Sequence, residues 1–437
     1  MHLTFIKPNM TAPEHDHRRA NDAMPPLAFG IMAGLTPDEI KISLYDDRIE
    51  DVPLDAPTDA VVISMETHTA RRGYELAQAY RRRGIPVVIG GMHPSFLPEE
   101  AGAHGDAVAI GQVEGIWPGI VEDLKSRRLK KFYRCGKAPS LADVRVKRDI
   151  FAGKKYLPLV PVEFGRGCCY SCDFCSVSSF YQGYRHRPVK DVIEEIRRLK
   201  GRQFFFIDDN IAANPDEARE LFEALIPLGI QWIGQISLER VQDEKLVALM
   251  SKSGCRVLLV GLESLDRMNL ACMSKASNLQ VASFDKPLNI LRKFKIKTYA
   301  TFVFGYDQDT VRSFHETVEF ALKQKFFIAN FNLLMPYPGT PLYERLRSEG
   351  RLLHKAWWLD PDYRFGQAVF KPRSLSAREL GEGCIQARRV FNSWRNVFYR
   401  STDRQANCPT PGDFMEFWAY NLLVRREVNR KHDLALG

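Results

Sequence analysis

The sequence contains one segment with an unusual density of cysteines, Gly165-Arg166-Gly167-Cys168-Cys169-Tyr170-Ser171-Cys172-Asp173-Phe174-Cys175-Ser176-Val177. Four of the nine cysteines of the chain lie here, within eight positions. Such crowding in a chain that is poor in cysteine elsewhere is typical of metal binding or catalysis rather than of a disulfide scaffold. Cys168, Cys172 and Cys175 form a C-x3-C-x2-C loop. Their thiolates can hold three corners of a cubane iron–sulfur cluster, and the fourth iron would then be open to another molecule.

Two other kinds of site use clustered cysteines. Structural zinc normally requires four ligands, including a second pair some distance away, and outside this segment the sequence contains neither a C-x-x-C nor a suitably spaced pair of histidines. A closed, ferredoxin-like cluster requires a fourth thiolate, for which Cys169 is the nearest candidate. Because adjacent cysteines cannot easily reach two corners of one cubane, we expect Cys169 to be a packed thiol.

The cysteine segment follows the first strand of a β/α series. Helix-start signals occur between the strands, such as Pro188 at a first-turn position and the cap-plus-proline pair Asn214-Pro215. Six such units predict a partial barrel with its chemistry at the carboxyl ends of the strands. The predicted strands cover residues 159–164, 204–207, 232–236, 257–260, 298–303 and 328–334.

An earlier series of strands and amphipathic stretches precedes the barrel. Its near-continuous apolar strands predict a parallel sheet covered by helices on both faces, with ligands outside the carboxyl ends. The stretch 69–83 shows helical spacing of its apolar residues. The five predicted strands cover residues 3–6, 40–45, 60–64, 86–89 and 107–110.

The predicted fold is therefore α/β, with a doubly wound, Rossmann-like sheet followed by a partial (β/α)6 TIM-like barrel and a small, mostly helical C-terminal region. A capping box, Ser376-x-x-Glu379, predicts a helix in that last region. The predicted domains are a ligand-binding domain at 1–130, a linker at 131–153, the barrel at 154–355 and an aromatic helical cap at 356–437.

Composition excludes several classes of protein. The 437 residues are 45% hydrophobic and 26% charged, as in soluble globular proteins. No run approaches the roughly 20 apolar residues of a transmembrane helix, and the first residues lack the layout of a signal peptide, so we expect a cytoplasmic location. The net charge is +9, but lysine and arginine are spread along the chain, and we expect no nucleic-acid partner.

The C-x3-C-x2-C loop after the first barrel strand resembles the radical S-adenosylmethionine superfamily. Phe174 before the third cysteine and the Gly165–Gly167 segment ahead of the first strengthen the likeness, which covers residues 150 to 355. It implies a 4Fe–4S cluster on Cys168, Cys172 and Cys175 whose open iron is chelated by S-adenosylmethionine. It also implies reductive cleavage to methionine and a 5′-deoxyadenosyl radical, with an electron donor such as flavodoxin or ferredoxin.

The same resemblance implies S-adenosylmethionine contacts at the strand ends. Asp208-Asp209-Asn210 stands where the family has a Gly-Gly-Glu-like motif for the methionine amino group; the glycines are missing here, but an acidic pair suits an ammonium. A helix-capping turn is the other interpretation of these residues. The expected contacts are Phe174, Asp208, Asp209, Asn210, Gln235, Ser237, Arg240 and Glu263.

A five-unit parallel domain ahead of such a barrel resembles the cobalamin-binding branch of the superfamily. The signature Asp-x-His-x-x-Gly, which supplies an axial imidazole in some cobalamin proteins, is missing, because no suitably placed glycine follows Asp16-His17-Arg18. We therefore expect cobalamin without a protein imidazole below cobalt, or else a purely structural domain. The expected cobalamin contacts are Ser64, Thr67, Gly90, Gly91, His93, Gly111 and Glu114.

These resemblances imply a cobalamin-dependent methyltransferase acting on an unactivated carbon, or on phosphorus, of a small or medium apolar biosynthetic intermediate. A cyclase or rearrangement enzyme, and aminocarboxypropyl transfer by a different cleavage, are alternatives. A further alternative, a tRNA-modifying relative, would carry a second cluster in the first domain, yet the first 130 residues contain no cysteine. The C-terminal aromatic residues, such as Trp357 and Trp394, would either roof a substrate cavity or pack a helical cap.

Overall fold

The computed structural model describes residues 1–11, 23–142, 144–199, 201, 203–430 and 433–436. The segment Asp16-His17-Arg18 lies outside the described residues. Within the part that is described, no helix combines the length and apolar character needed to cross a bilayer.

The first domain is built on a six-stranded parallel sheet in the order β2-β1-β3-β4-β5-β6. The sequence predicts the first five strands; the sixth has only three residues and follows a basic run, so it carries no apolar periodicity and falls inside the predicted linker. The strands are β1 His2–Lys7, β2 Lys41–Asp46, β3 Ala60–Ser64, β4 Val87–Gly90, β5 Ala107–Ile110 and β6 Phe132–Arg134.

Helices cover both faces of this sheet. Alternate residues of β3 enter different cores: Val61 and Ile63 pack on one face and Val62 on the other. That division is why the strand shows a continuous apolar run. The helices of this domain are α1 Leu27–Gly34, α2 Ala70–Arg82, α3 Met92–Phe96, α4 Pro98–His104 and α5 Trp117–Lys125.

The second domain contains another six-stranded parallel sheet, in the order β14-β13-β12-β11-β10-β7, which is the predicted six-unit series. A separate antiparallel pair, β8 and β9, flanks the cysteine loop. The strands are β7 Val160–Val162, β8 Gly165–Arg166, β9 Arg185–His186, β10 Gln203–Phe206, β11 Gln231–Ile236, β12 Cys255–Glu263, β13 Lys297–Phe304 and β14 Ile328–Leu333.

Helices alternate with these strands, and their starts follow the sequence signals. The Asn214 side chain accepts a hydrogen bond from the amide of Asp216 at 3.2 Å, with Pro215 in the first turn of its helix. The helices are α6 Ser176–Tyr181, α7 Val189–Arg198, α8 Pro215–Leu225, α9 Glu244–Lys252, α10 Arg267–Cys272, α11 Ala276–Leu279, α12 Asp285–Lys293, α13 Val311–Lys323 and α14 Pro341–Ser348.

The C-terminal region is helical, as predicted, with α15 Ala377–Phe391, α16 Trp394–Ser401 and α17 Pro411–Arg430. The capping box at the start of α15 is present: Ser376 Oγ accepts from the Glu379 amide at 3.1 Å, and the Glu379 carboxylate accepts from the Ser376 amide at 2.8 Å. Buried Arg400 on α16 donates to the carbonyls of Phe326 and Phe327, which fastens this region to the barrel.

The C-terminal aromatic residues fall into two groups. Trp357 and Trp358 are fully buried in a core that also contains Tyr74 of the first domain, so they join the domains by packing. Trp394 and Phe398 lie exposed on the outer surface. The packing interpretation therefore holds for the first group, and neither group lines the cavity described below.

Candidate functional site

The cysteine loop connects β8 to α6 at the carboxyl end of β7. It requires a glycine at position 167, where φ is +83° and a Cβ atom would lie 2.1 Å from the carbonyl oxygen of Gly183. Cys172 is buried, and Cys168 and Cys175 are half-buried. Cys169 is exposed, so the expectation of a packed thiol is wrong. Its Sγ lies 3.9 Å from the Asn210 side-chain nitrogen, at the edge of the site.

Asp173 fastens the middle of the loop to the barrel. Its amide donates to the Met273 carbonyl at 3.0 Å, and its carbonyl accepts from the Leu342 amide at 2.9 Å. Its carboxylate accepts a hydrogen bond from the Tyr306 hydroxyl and pairs with Arg345 at 2.8 Å. These contacts hold the loop against β13 and α14. The sequence does not reveal these contacts, because the partners of Asp173 lie more than 90 positions away along the chain.

The donor set of this loop fits an iron–sulfur cubane. The three motif cysteines are free thiols on one short loop. Among the described residues, no three His, Cys, Asp or Glu side chains surround a single-ion position. A cubane instead takes its thiolates at separate corners, and a three-cysteine set leaves one iron for a further ligand.

A hydrogen-bonded network joins the loop to the ends of β10 and β11. The Asn210 amide group donates to Ser237 Oγ at 3.0 Å, and Ser237 Oγ donates to Glu239 at 2.7 Å. The Tyr170 hydroxyl, from the cysteine loop, donates to the same Glu239 oxygen at 2.6 Å. Arg240 lies 3.3 Å from that oxygen. The structure thus brings together Asn210, Ser237, Glu239 and Arg240 from the ends of the two strands, and it adds Tyr170 from the cysteine loop.

The adjacent carboxylates of Asp208 and Asp209 have different surroundings. Asp208 is buried and accepts hydrogen bonds from the amides of Phe164 and Gly165, so it fixes the backbone that leads into the cysteine loop. Burial raises its pKa. Asp209 is half-buried, and burial raises its pKa to about 6. Asp209 is therefore the more accessible carboxylate of this pair.

An ion pair lies at the end of β12, between Glu263, which the sequence predicts as a ligand contact, and Lys275, which it does not. Glu263 has a left-handed φ of +63°, at a point where the register between β12 and β13 shifts. Such a backbone is uncommon for a residue other than glycine and is often found at functional sites. Its carboxylate lies 2.9 Å from the Lys275 ammonium, which is also close enough to Cys172 to affect the pKa of that thiol.

Two predicted contacts are placed differently. Phe174 is half-buried against the barrel core. Gln235 contributes through its backbone, because its carbonyl accepts from the Ile211 amide at 2.9 Å.

A cavity of about 330 Å³ opens at the carboxyl ends of the first sheet and extends to the cysteine-loop side of the barrel. Its floor is apolar, formed by side chains such as Val62, Val88 and Ala109. Five of the seven predicted cobalamin contacts line it, namely Ser64, Gly90, Gly91, Gly111 and Glu114. From the barrel side it is lined by Glu163, Arg166, Phe180, Tyr181 and Ile207.

The glycines at the cavity edge occupy positions that a side chain would disturb. Gly91 has a φ of +111°, and a Cβ atom there would lie 2.4 Å from the carbonyl oxygen of Met65. Gly111 has a φ of +88°. Ser95 Oγ connects the two loops, since it donates to the Gly91 carbonyl at 2.7 Å and accepts from the Gly111 amide at 2.9 Å. The loops therefore present bare backbone to the cavity.

Thr67 and His93 do not line the cavity. Thr67 is buried in a short turn after β3. His93 is fully buried, with Nε2 at 2.9 Å from Glu100 and its ring against Trp358 at 5.4 Å between centroids. The proline after His93 and the half-buried Glu100 acceptor hold the ring in the core rather than on the ligand side.

Arg166, two residues before the first motif cysteine, connects the two domains. Its Nε and Nη2 donate to both oxygens of Glu163 at 2.9 and 2.8 Å. Its Nη1 donates to Glu114 of the first domain at 2.6 Å and to Gln112 at 3.2 Å. All of these side chains are buried, so one guanidinium compensates two carboxylates at the wall of the cavity. We call this group the Arg166 clamp.

The clamp predicts a large stability effect. Arg166→Met should lower the free energy of unfolding by about 3–5 kcal/mol, because Glu114 and Glu163 would remain buried without the guanidinium that pairs with both. Denaturant titration of the full chain measures this loss. Adding Glu114→Gln should recover part of it by removing one uncompensated charge.

The matched control is Arg198→Met, whose side chain is 80% exposed and pairs with Glu194 on the surface. It should change stability by less than about 1 kcal/mol. Equal effects of the two substitutions would contradict the role assigned to the clamp.

Comparison with known proteins gives a consistent result. The family model described as the Radical SAM superfamily matches residues 162–321. Bacteriochlorophyllide d C-12(1)-methyltransferase of Chlorobaculum tepidum is 29% identical over 415 residues, which is 92% of this chain and 88% of that protein. The anaerobic magnesium-protoporphyrin IX monomethyl ester cyclase of Cereibacter sphaeroides is 26% identical over 349 residues, 71% of this chain and 56% of that one.

Among solved structures, the radical S-adenosylmethionine methyltransferase TsrM of Kitasatospora setae, with cobalamin and a 4Fe–4S cluster bound, superposes with a TM-score of 0.64. The superposition covers 98% of this chain and 99% of that one at 14% identity, so both domains share its fold. The three-cysteine loop, the six-unit barrel and the doubly wound domain ahead of it thus agree with the family match and the relatives. Residues 162–321 therefore match a radical S-adenosylmethionine domain, and the chain as a whole shares its fold with a cobalamin-bound methyltransferase of that superfamily.

Proposed function

We propose that this enzyme transfers a methyl group to an unactivated carbon of an apolar substrate, using cobalamin and a 4Fe–4S cluster with S-adenosylmethionine. One observation carries the proposal: a single cavity runs from the carboxyl ends of the first sheet to Glu163 and Arg166, next to the cysteine loop. Two cofactors held at these places would face one common space. The two domains therefore serve one reaction.

Residues on each side fit their proposed ligand. On the barrel side, Asp209 would accept the ammonium of S-adenosylmethionine, and Lys275 offers a cation for its carboxylate. On the other side, the apolar floor suits a flat aromatic group, and the bare backbone at Gly91 and Gly111 suits phosphate and corrin-edge contacts. Bound cobalamin would supply the methyl group. The chain's own contribution is to orient both ligands and to exclude water from the space between them.

For the substrate, we propose a tetrapyrrole or another large apolar ring system. The support is the likeness to a bacteriochlorophyllide methyltransferase over nearly the whole chain. The cyclase relative is named for a tetrapyrrole as well. Because of this likeness, ring closure is the second candidate reaction.

The products of S-adenosylmethionine distinguish these reactions. Anaerobically reconstituted enzyme with bacteriochlorophyllide d should release S-adenosylhomocysteine and 5′-deoxyadenosine in similar amounts per methylated product. The reason is that one molecule remethylates cobalamin and a second generates the radical. Liquid chromatography with mass spectrometry measures all three products. Substrate-dependent 5′-deoxyadenosine without S-adenosylhomocysteine would instead indicate ring closure, and methylthioadenosine would indicate aminocarboxypropyl transfer.

The cluster ligands can be tested separately from the substrate. Changing Cys168, Cys172 or Cys175 to Ala should remove the 4Fe–4S signal and abolish reductive cleavage of S-adenosylmethionine. Cys169→Ala is the matched control, and it should retain the iron, because this exposed thiol is not one of the three proposed ligands. Iron analysis and electron paramagnetic resonance provide the readout. Loss of iron from Cys169→Ala with retention in Cys168→Ala would reverse the assignment.

Cobalamin binding can be tested by filling the cavity floor. Ala109→Phe should lower the corrinoid retained per chain by about tenfold or more, because the added ring takes the volume that the ligand needs. The 4Fe–4S content should stay unchanged. The matched control, Ala103→Phe, adds the same ring at an exposed position on α4 and should retain the corrinoid.

The Co(II) form should show no nitrogen splitting from the protein, since His93 points away from the cavity and pairs with Glu100. A splitting that disappears in His93→Gln would contradict this arrangement. Full corrinoid retention by Ala109→Phe would contradict the position of the site.

A further inference from the structure

The outer face of α16 and α17 carries a patch of exposed apolar side chains. Every exposed aromatic residue among those described lies here: Trp394, Phe398, Tyr399 and Phe414, which are 54%, 64%, 45% and 38% exposed. Met415, beside them, is 69% exposed. We call these five residues the outer patch. Contiguous exposed apolar patches on a folded protein commonly mark interaction sites, whereas single exposed apolar residues do not.

Aromatic rings of the outer patch meet where the two helices pack. The ring of Trp418, on α17, lies 6.4 Å from that of Trp394 and 6.1 Å from that of Phe414, measured between centroids. Below the patch, Phe417 is fully buried against Phe327 of the barrel. The two helices therefore hold the exposed side chains on a fixed base and not on a loose tail.

Cations border the outer patch. The Arg425 guanidinium lies 4.6 Å above the Trp394 ring, and the Lys325 ammonium lies 4.6 Å above the Tyr399 ring. Exposed Arg426 and Arg389 line a groove beside Trp394. Arg395, which follows Trp394 on α16, is also exposed. The rim of the patch is thus strongly basic.

The acidic side chains at the start of α17 do not neutralise this rim. Asp413 is buried and pairs with Lys297 at 2.9 Å, and it also pairs with Arg256. Glu416 pairs with the same lysine. These carboxylates are directed under the helix, toward the barrel, and they compensate cations there. Arg395 and Arg426 of the rim are exposed, so their positive charge is accessible at the surface.

We propose that the outer patch binds the surface of an anionic phospholipid bilayer, with α16 and α17 lying in the interface. Tryptophan and other aromatic side chains favour the headgroup region, where an apolar ring and a polar edge are both accommodated. Basic residues beside them attract anionic headgroups. The Arg425 guanidinium, stacked on Trp394, donates from Nη1 to the Asn392 carbonyl at 2.6 Å and has further N–H donors that suit phosphate oxygens. This inference is independent of the proposed reaction.

Vesicle co-sedimentation of the full chain tests the proposal. The protein should bind phosphatidylcholine vesicles that contain phosphatidylglycerol about tenfold or more tightly than pure phosphatidylcholine vesicles, and added salt should weaken the binding. The double variant Phe398→Glu with Met415→Glu should lower binding at least about tenfold, because it removes apolar side chains from the interface. Arg395→Glu with Arg426→Glu should also lower binding to the anionic vesicles.

The matched control is Met268→Glu, which places the same charge at a side chain on α10 that is 63% exposed and distant in sequence from the patch. It should bind like the unchanged protein, and iron content and circular dichroism should be the same for all variants. Equal binding to both kinds of vesicle, or equal loss in Met268→Glu, would overturn the proposal. A lipid-free dimer that Phe398→Glu with Met415→Glu converts to monomers would also overturn it, because the patch would then be a subunit interface.

Discussion

The placement of one buried guanidinium between two carboxylates governs the relation of the two domains. Arg166 pairs with Glu163 on the barrel side and with Glu114 of the first domain. If Arg166 moved, both buried carboxylates would lose this partner. Charges buried in this way cost several kcal/mol unless they are paired in good geometry. The interaction therefore specifies how the two sheets meet. It also places this constraint two residues from the first motif cysteine, so the wall of the cavity and the cysteine loop share one fixed point.

The remaining constraints act on the same loop from other directions. Asp208 holds the amides of Phe164 and Gly165 at its start, and Gly167 allows the turn that follows. Asp173 ties its middle to Tyr306 and Arg345. Most of these partners are buried, so the loop is positioned by the folded barrel before any cofactor binds. A site prepared in this way loses less conformational entropy on binding than a flexible loop would.

The sequence predicts those features that depend on residues close together along the chain. Strands such as β13 show as short apolar runs, α15 begins at its capping box, and the three motif cysteines are close in sequence as well as in space. The features that it conceals depend on distant partners. Lys275 belongs to no sequence motif, and its ion pair with Glu263 is visible only in the structure. The sequence predicts His93 as a ligand contact, but in the structure its ring packs against Trp358 and pairs with Glu100. The sixth strand of the first sheet is too short to show periodicity in the sequence, and only its pairing with β5 defines it as a strand.

The two sheets are alike in one physical respect that accounts for the position of the whole site. Each is parallel, so each has all its carboxyl ends at one edge, where loops replace paired backbone and polar groups can face a ligand. In this chain those two edges meet at one cavity, with an apolar floor on one side and a charged, hydrogen-bonded rim on the other. An arrangement of this kind suits a reaction that needs a dry space between two large ligands. The Arg166 clamp lies at the joint between the edges, and so the contact that stabilises the domain interface also forms one wall of the cavity.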